Sequence, residues 1–201
     1  MQAAVRTEAK PRINTTMYPV LFAISFVHLL NDSMQSVIPA LFPILENAMH
    51  LSYAQLGWIA FALNMTSSIM QPVVGLYTDK KSSPYMLPIG MGFSLLGMVG
   101  LAFAGNFAMI LLSVIFIGLG SASFHPEGSR VAYMAAGNRR GLAQSIYQVG
   151  GNSGQSLAPL MTALIFVPLG QFGSIWFTLV AALAIFVLMF VSNWYSKQLV
   201  Y

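Results

Sequence analysis

The chain has 201 residues, of which 57% are hydrophobic and only 7% are charged, and its formal net charge is +4. Soluble domains carry charge on about a quarter of their residues, so this composition excludes a soluble globule and indicates a protein embedded in a lipid bilayer. The Lys and Arg residues are scattered between apolar runs, which excludes a basic surface for nucleic acid. The absence of cysteine excludes a disulfide framework and a thiolate metal site. We expect neither a metal nor an organic cofactor.

Six apolar segments follow one another along the chain, at residues 17–45, 54–77, 85–104, 107–133, 142–167 and 172–195. Each meets the length of about 20 residues that a helix needs to cross a hydrocarbon core of about 30 Å. Helices are expected because every backbone amide in lipid must find its partner within its own segment. We therefore predict an all-α polytopic membrane protein. Its six-transmembrane-helix bundle covers residues 17–195, between a cytoplasmic N-terminal lead (1–16) and a cytoplasmic C-terminal end (196–201).

Basic residues mark one side of this bundle. They precede the first segment and follow the second, fourth and sixth, at Arg6, Lys10, Arg12, Lys80, Lys81, Arg130, Arg139, Arg140 and Lys197. The opposite loops, at residues 46–50, 105–106 and 168–171, contain no Lys or Arg. Because short loops rich in Lys and Arg stay inside the cell, the pattern predicts a multi-pass protein of the inner (plasma) membrane with both termini in the cytoplasm.

The first segment carries ionisable residues near its middle. Asp32 lies about 21 Å along a helix that begins at residue 18, at a rise of about 1.5 Å per residue. His28 lies one turn earlier on the same face. Ionisable groups inside a membrane are costly and usually functional, and desolvation disfavours a charged carboxylate. We predict that Asp32 and His28 carry protons and that Asn31 contacts substrate; the alternative is a structural pair that joins two helices.

The fourth segment ends in a charged cluster. Residues 107–124 are almost wholly apolar, and His125, Glu127 and Arg130 follow, which places the cluster toward the predicted cytoplasmic end. Glu127 and Arg130 are three residues apart and can pair. We predict that Glu127 is a further proton-coupling candidate and that His125 and Arg130 bind an oxyanion, because the guanidinium fork suits bidentate contact. The alternative is an interfacial helix end whose charges neutralise each other.

The fifth segment carries a stripe of amides on one helical face. They are Gln144, Gln148, Asn152 and Gln155, spaced four, four and three residues apart. Asn64, midway along the second segment, can face the same space. Interhelical hydrogen bonds, worth about 0.6–2 kcal/mol each in membranes, are one interpretation. We favour a wet cavity in which Asn64 and the last three amides of the stripe bind substrate.

Small residues in the fifth segment suggest two further interpretations. Gly150 and Gly154 are four residues apart, a spacing that lets another helix backbone approach closely. The run from Gly151 to Gly154 also superficially suits an intramembrane serine protease with Ser153 as nucleophile. Such an enzyme needs a histidine base from a later helix, and no histidine follows Ser153. The protease is therefore the weakest alternative.

The loop after the second segment carries a motif. Gly75 is followed four residues later by Asp79, and then by Lys80 and Lys81. This pattern resembles the signature loop between helices two and three of the major facilitator superfamily, although Lys80 stands where arginine is usual. The resemblance implies a conformational latch rather than a substrate site. Because the end of a helix disfavours an anion, Asp79 needs a partner, such as Arg130 or a neighbouring lysine.

Other segments resemble a drug-efflux subfamily of the same superfamily and cover most of the chain; they begin at His28, Gln35, Gln71, Phe124, Ser129, Gly141 and Gln148. The resemblance implies one half of a twelve-span fold, built as an inverted three-plus-three repeat. It implies export of a small-molecule drug, such as a phosphonate, by proton antiport. It also implies the partners: substrate, protons, the lipid bilayer and a second six-helix half in the same or another chain.

Two features of the sequence differ from the complete drug antiporter that the resemblance implies. Drug antiporters of the superfamily commonly carry an arginine in the outer part of helix four, and residues 107–124 contain none. The chain also stops just past its sixth span. The alternative for the chain by itself is therefore a truncated membrane protein or scaffold that does not transport.

Overall fold

A computed structural model describes residues 15–200, so residues 1–14 of the predicted lead and Tyr201 of the predicted C-terminal end lie outside the described residues. The elements in chain order are α1 (Tyr18–Met49), α2 (Tyr53–Lys80), α3 (Met86–Ala102), α4 (Phe107–Ala135), α5 (Arg140–Gln155), α6 (Ala158–Met161), a π-helical turn (Thr162–Phe166), α7 (Val167–Leu169), a 3-10 turn (Gln171–Ile175) and α8 (Trp176–Val200). Every regular element in this part of the chain is helical, which confirms the all-α prediction.

Four helical stretches are long and apolar enough to cross a membrane: Tyr18–Met49, Tyr53–Lys80, Phe107–Ala135 and Gln171–Leu199. The apolar helix α3 is shorter, with 17 residues, which corresponds to about 25 Å of helix. The predicted fifth membrane crossing consists of α5, α6, the π-helical turn and α7.

The surface of the bundle is apolar and part of its interior is polar. Large side chains such as Trp58, Leu164 and Phe186 are exposed, whereas Asp32 and Glu127 are buried. Exposed apolar side chains are unfavourable in water but favourable in hydrocarbon. Polar groups in hydrocarbon must instead find hydrogen-bond partners inside the protein. This distribution is that of a membrane protein.

Segments that follow one another along the chain run in opposite directions, so that the starts of α1, α3 and α5 lie at the same end as the ends of α2, α4 and α8. We call this the basic end, because it carries Lys80, Arg139 and Lys197. The backbone N–H of Met17 donates to the carbonyl of Ala135 at 2.9 Å, which ties the start of α1 to the end of α4. That the basic end faces the cytoplasm stays a prediction.

Helices α1 and α5 pack closely enough to exclude side chains from their contact. A Cβ atom on Gly150 would lie 2.1 Å from the carbonyl oxygen of Ser25, and one on Gly154 would lie 2.3 Å from that of Leu29. Such distances are far inside van der Waals contact, so both positions require glycine. The close approach predicted for this glycine pair is confirmed, and its partner is α1.

The predicted fifth helix over residues 142–167 is wrong in one respect, because it is not continuous. Helix α5 ends at Gln155, and α6 begins at Ala158 after a turn. Pro159 has no N–H to give to the carbonyl of Gln155 and would clash with a continuing helix, whereas proline is favoured in the first turn of a new one. Helix α8 continues to Val200, and the bundle boundary at residue 195 stays a prediction.

Candidate functional site

The carboxylate of Asp32 lies at the centre of a buried polar cluster. Asp32 is only 2% exposed. Its Oδ2 accepts a hydrogen bond from Gln155 Nε2 at 2.8 Å. Its Oδ1 accepts one from Asn31 Nδ2 at 3.0 Å and one from Gln35 Nε2 at 3.4 Å. Hydrogen bonds to a carboxylate favour its charged form, so amides from α1 and α5 stabilise a negative charge inside the bundle.

Two histidines flank this carboxylate. His28 Nε2 lies 3.5 Å from Oδ2 of Asp32, and Nε2 of His125, on α4, lies 3.6 Å from Oδ1. His28 Nδ1 lies 2.8 Å from the carbonyl oxygen of Tyr147. Because a carbonyl can only accept, Nδ1 carries the hydrogen of that bond. Nε2 is therefore the nitrogen of His28 that gains or loses a proton beside Asp32.

The contact of His125 with Asp32 is not predicted from the sequence. The sequence places it toward the end of α4, but its ring lies beside Asp32. His125 precedes Ala135, at the basic end of α4, by about 15 Å of helix, and Asp32 lies about 21 Å from Tyr18 at the basic end of α1. Side chains that lean along their helices close the difference of about 6 Å. His125 therefore belongs to the same cluster as His28 and Asp32.

The donor atoms of His28, Asp32 and His125 all lie within 4.8 Å of one another, a spacing at which they could hold a metal ion. The amide N–H groups of Gln155 and Gln35 lie against the two carboxylate oxygens, and Gln35 Nε2 also lies 3.4 Å from His125 Nε2. The three ionisable side chains and the two amides thus form one polar cluster.

A cavity of about 360 Å³ opens beside the cluster, between α1, α2 and the junction of α5 with α6. Its polar lining includes the amides of Gln35, Asn64 and Gln155, and Phe42 is among its apolar lining residues. Asp32 does not line the cavity. The structure thus places Asn64 and Gln155 on one space, while their contact with substrate stays a prediction.

The other amides of α5 have different surroundings. Gln148 Nε2 donates to Asn152 Oδ1 at 3.2 Å, and both residues are exposed. Gln144 Nε2 donates to the carbonyl of Ser129, on α4, at 3.2 Å, which is the interhelical bond of the alternative interpretation. The stripe therefore has two parts: Gln144 joins helices, and the remaining amides lie on exposed surface or on the cavity.

Two residues of the site differ from what the sequence predicts. Asn31, predicted to contact substrate, is 1% exposed and bonds to Asp32 instead. Gln35, which was not predicted, lines the cavity. Gln35 lies three residues after Asp32 and seven after His28, which puts it on their helical face. This spacing is enough to predict from the sequence that Gln35 belongs to the site. Tyr147 was also missed, because it acts through its backbone carbonyl, which carries no sequence signal.

A second charged cluster lies at the basic end. Arg130 Nη1 donates to the carbonyl of Thr78 at 2.9 Å, and Nη2 forms an ion pair with Asp79. Nη1 also lies 3.4 Å from Oε1 of Glu127, whose side chain is fully buried. Arg130 is therefore one of the partners nominated for Asp79, and the expected contact with Glu127 is present.

The remaining residues of the predicted latch make fewer contacts with α4 than Asp79 does. A Cβ atom on Gly75 would lie 3.9 Å from Cβ of Pro126, which is ordinary contact. Lys80 and Lys81 are exposed and form no ion pair within residues 15–200. The polar contacts between this loop and α4 are those that Arg130 makes. Its action as a latch stays a prediction.

A family model for the Major Facilitator Superfamily matches residues 21–197. The chain is 66% identical over 194 residues to the uncharacterized MFS-type transporter YfnC of Bacillus subtilis. It is 51% identical over 196 residues to the fosmidomycin resistance protein of Escherichia coli, and 27% identical over 185 residues to the probable L-galactonate transporter of the same organism.

These similarities extend along nearly the whole chain but not along the whole relatives. The first two alignments cover 96% and 98% of this chain and 47% of each relative. The third covers 92% of this chain and 39% of the relative. The chain therefore spans about half the length of the first two relatives.

Proposed function

Since the chain belongs to the major facilitator superfamily, whose members are membrane transporters and not enzymes, we propose that it acts with a second six-helix half to export a small molecule in exchange for protons. The proposed substrate is a drug such as fosmidomycin, because a relative 51% identical to the chain is named for resistance to it. The proposed setting is the inner membrane, with both termini in the cytoplasm. Family membership sets the protease aside and favours a transporter over a scaffold.

One observation carries the proton part of this proposal: a buried carboxylate lies between two histidines, next to a cavity. Asp32 is 2% exposed and lies within 3.6 Å of the Nε2 atoms of His28 and His125. A charge in this place is expensive unless it is neutralised by a proton or by hydrogen bonds. Asp32 is the proposed proton carrier, and His28 and His125 are the cationic partners that its charge can have when they are protonated.

Glu127 is the second candidate for proton coupling. Its buried carboxylate lies 3.4 Å from Arg130 Nη1, and a nearby cation favours the charged form. This ion pair supports Glu127 as a fixed anion at the basic end more than as a carrier that changes its protonation in each cycle.

The substrate side of the proposal rests on the cavity and on the exposed face of α5. Asn64 and Gln155 line the cavity, and Gln148 and Asn152 are exposed. These amides hydrogen-bond a solute that arrives from one side of the membrane. His125 lies at the boundary between the proton cluster and this surface, since its side chain is 23% exposed.

The basic end supplies the proposed conformational latch. Alternating access requires two bundles that rock about a central site, and a closed state needs contacts that break in the open one. The ion pair between Asp79 and Arg130 joins the end of α2 to α4 and is partly exposed, so it can exchange partners during the cycle. Gly75, Lys80 and Lys81 complete the loop that carries it.

A proton-release assay tests the proposal. Everted vesicles that contain the protein with both halves are given an acidic interior, and the internal pH is followed by a fluorescent dye. Addition of fosmidomycin should dissipate part of the gradient, since each drug molecule that enters exchanges for protons. Vesicles without the protein are the control. Drug accumulation that leaves the gradient untouched contradicts antiport, and no accumulation of fosmidomycin contradicts the substrate.

A further inference from the structure

The carboxylate of Asp32 is connected to the cavity through two side-chain amides. Gln155 Nε2 donates to Oδ2 at 2.8 Å, Gln35 Nε2 donates to Oδ1 at 3.4 Å, and both glutamines line the cavity. Asn31 also donates to Oδ1, but it is 1% exposed and does not line the cavity. Within the described part of the chain, the hydrogen-bonded links from the carboxylate to the cavity therefore run through Gln35 and Gln155.

The charge of the carboxylate fixes the direction of these two amides. An ionised carboxylate can only accept, so each glutamine turns its N–H toward Asp32. The amide group has its nitrogen and its oxygen on opposite sides, which leaves the carbonyl oxygen available to the cavity. When a proton adds to Asp32, the new O–H needs an acceptor. The carbonyl of a glutamine supplies it after the amide rotates, and the NH₂ group then faces the cavity.

We infer that Gln35 and Gln155 convert the protonation state of Asp32 into the hydrogen-bonding character of the cavity. The ionised cluster presents acceptor oxygens to a solute, and the protonated cluster presents N–H donors. The inference rests on the proposed proton antiport and adds to it the residues that couple the proton to the substrate.

Whether a proton on Asp32 weakens or strengthens substrate binding identifies the substrate group that lies at Gln35 and Gln155. Antiport requires that the proton and the substrate exclude each other, and this exclusion is reciprocal. A hydroxyl or N–H group of the substrate binds the oxygens of the ionised form and is released on protonation, as antiport requires. Phosphonate oxygens would bind the NH₂ groups of the protonated form and would travel with the proton. The substrate group at Gln35 and Gln155 is therefore a hydrogen-bond donor, such as the N-hydroxyl group of fosmidomycin.

The other titratable groups around Asp32 are His28 on α1, His125 on α4 and Tyr147 on α5; α2 and α8 place none within ion-pair distance of it in residues 15–200. Tyr147 keeps its own proton, because a tyrosine loses it only at about pH 10. A proton on His28 Nε2 creates an N–H that competes with Gln155 for Oδ2, and one on His125 Nε2 competes with Gln35 for Oδ1. Either one frees an amide, so the sign of the coupling is the same whether Asp32 or a histidine takes the proton.

The test is the pH dependence of fosmidomycin affinity, measured on purified protein that contains both halves, with a chelator present to remove divalent cations. Displacement of one proton makes Kd rise about tenfold for each unit fall in pH. We expect this slope in the wild type and a flat dependence in at least one of Gln155→Leu and Gln35→Leu, because one proton on Asp32 turns the amide that faces the protonated oxygen. Gln148→Leu is the matched control, because Gln148 bonds to Asn152 rather than to Asp32; its affinity can fall while its slope stays. The titration of the phosphonate itself is common to all variants.

A second probe needs no variant. Fosmidomycin methylated on its N-hydroxyl oxygen lacks the donor, so its Kd on the wild type should lose the slope that the parent compound shows. A slope kept by both leucine variants, or by the methylated compound, overturns the inference and leaves antiport standing. Affinity that rises on acidification also overturns it. A wild type with neither a slope nor pH-driven efflux overturns the proposed function together with the inference.

Discussion

Arg130 donates hydrogen bonds to the carbonyl of Thr78 and the exposed carboxylate of Asp79, and its Nη1 lies 3.4 Å from the buried carboxylate of Glu127. A planar guanidinium presents five N–H donors in a rigid fork, whereas a lysine presents a compact point charge. Hydrogen bonds to charged groups contribute about 1.5–3 kcal/mol each. Arg130 is therefore suited to connect α2 with α4, and the same contacts compete with its predicted role as a phosphonate ligand.

We predict that Arg130→Lys lowers phosphonate resistance at equal expression, because a lysine cannot replace all three contacts. Drug Kd and turnover, measured separately on the protein with both halves, distinguish the two roles. We expect slower turnover with Kd nearly unchanged, as for a latch; a raised Kd with normal turnover indicates phosphonate binding instead. Unchanged resistance excludes both roles.

The sequence predicts part of the site at the residue scale. Asp32 and His28 are recognisable as site residues because ionisable groups in the middle of an apolar segment are costly in a membrane and usually functional. The contact of His125 with Asp32 is not predictable in this way, because it depends on how far α4 lies along α1. Its burial beside Asp32 is a property of packing rather than of one segment.

At the scale of elements, the contact between α1 and α5 holds the site together. It brings Gln155 to Asp32 and the carbonyl of Tyr147 to His28. The glycines of α5 allow this approach, since a Cβ on Gly150 would meet a backbone atom, which cannot move aside as a flexible side chain can.

We predict that Gly150→Ala destabilises the protein by about 1–3 kcal/mol, the usual range for overpacking, and weakens the pH dependence of transport because the two helices separate. Gly141→Ala is the matched control on the same helix, because nothing lies within 4 Å of the added Cβ. Thermal unfolding in detergent measures both variants. Equal Tm values for the two would show that the close contact of α1 with α5 does not matter for stability.

The loop that follows α2 supports a separate prediction at this scale. Asp79→Asn removes the charge that pairs with Arg130 and should slow the conformational cycle while substrate affinity stays roughly intact. A large loss of equilibrium binding with normal turnover argues against a latch.

The elements themselves are largely predictable, because about 20 apolar residues in lipid have few alternatives to a helix. The all-α architecture and the antiparallel order follow from this. The break after Gln155 was predictable in principle from Pro159, but prolines also lie inside continuous helices of this bundle, at Pro39, Pro43, Pro72 and Pro126. Whether a proline ends a membrane helix depends on the neighbours that satisfy the freed carbonyl.

At the scale of the whole molecule, polar side chains lie on surfaces that this chain does not cover. Asn64, Gln148 and Asn152 are exposed, and an unsatisfied amide in hydrocarbon costs about 2–7 kcal/mol. A second six-helix half that closes over this surface would supply partners and water. The chain spans 47% of the length of two of its relatives, close to the proportion expected for one of two such halves.

We predict that the chain by itself does not transport. Purified chain in vesicles should show no proton-driven efflux, and coexpression with the part of a relative that the chain does not cover should restore it. The control is the same part of the relative, expressed without the chain. Robust proton-driven efflux by the chain alone contradicts the need for a second half.

Asp32 is proposed to carry the proton that drives export, and Asp32→Asn tests this role in the protein with both halves. The amide keeps the size of the side chain but cannot bind and release a proton in this way. Drug efflux is measured under an imposed pH gradient and compared with drug exchange at equal pH and saturating drug, which needs no net proton movement. We predict that the variant loses pH-driven efflux and retains exchange. Wild-type efflux under the gradient would remove Asp32 from the mechanism, and loss of both activities would make it a binding or structural residue.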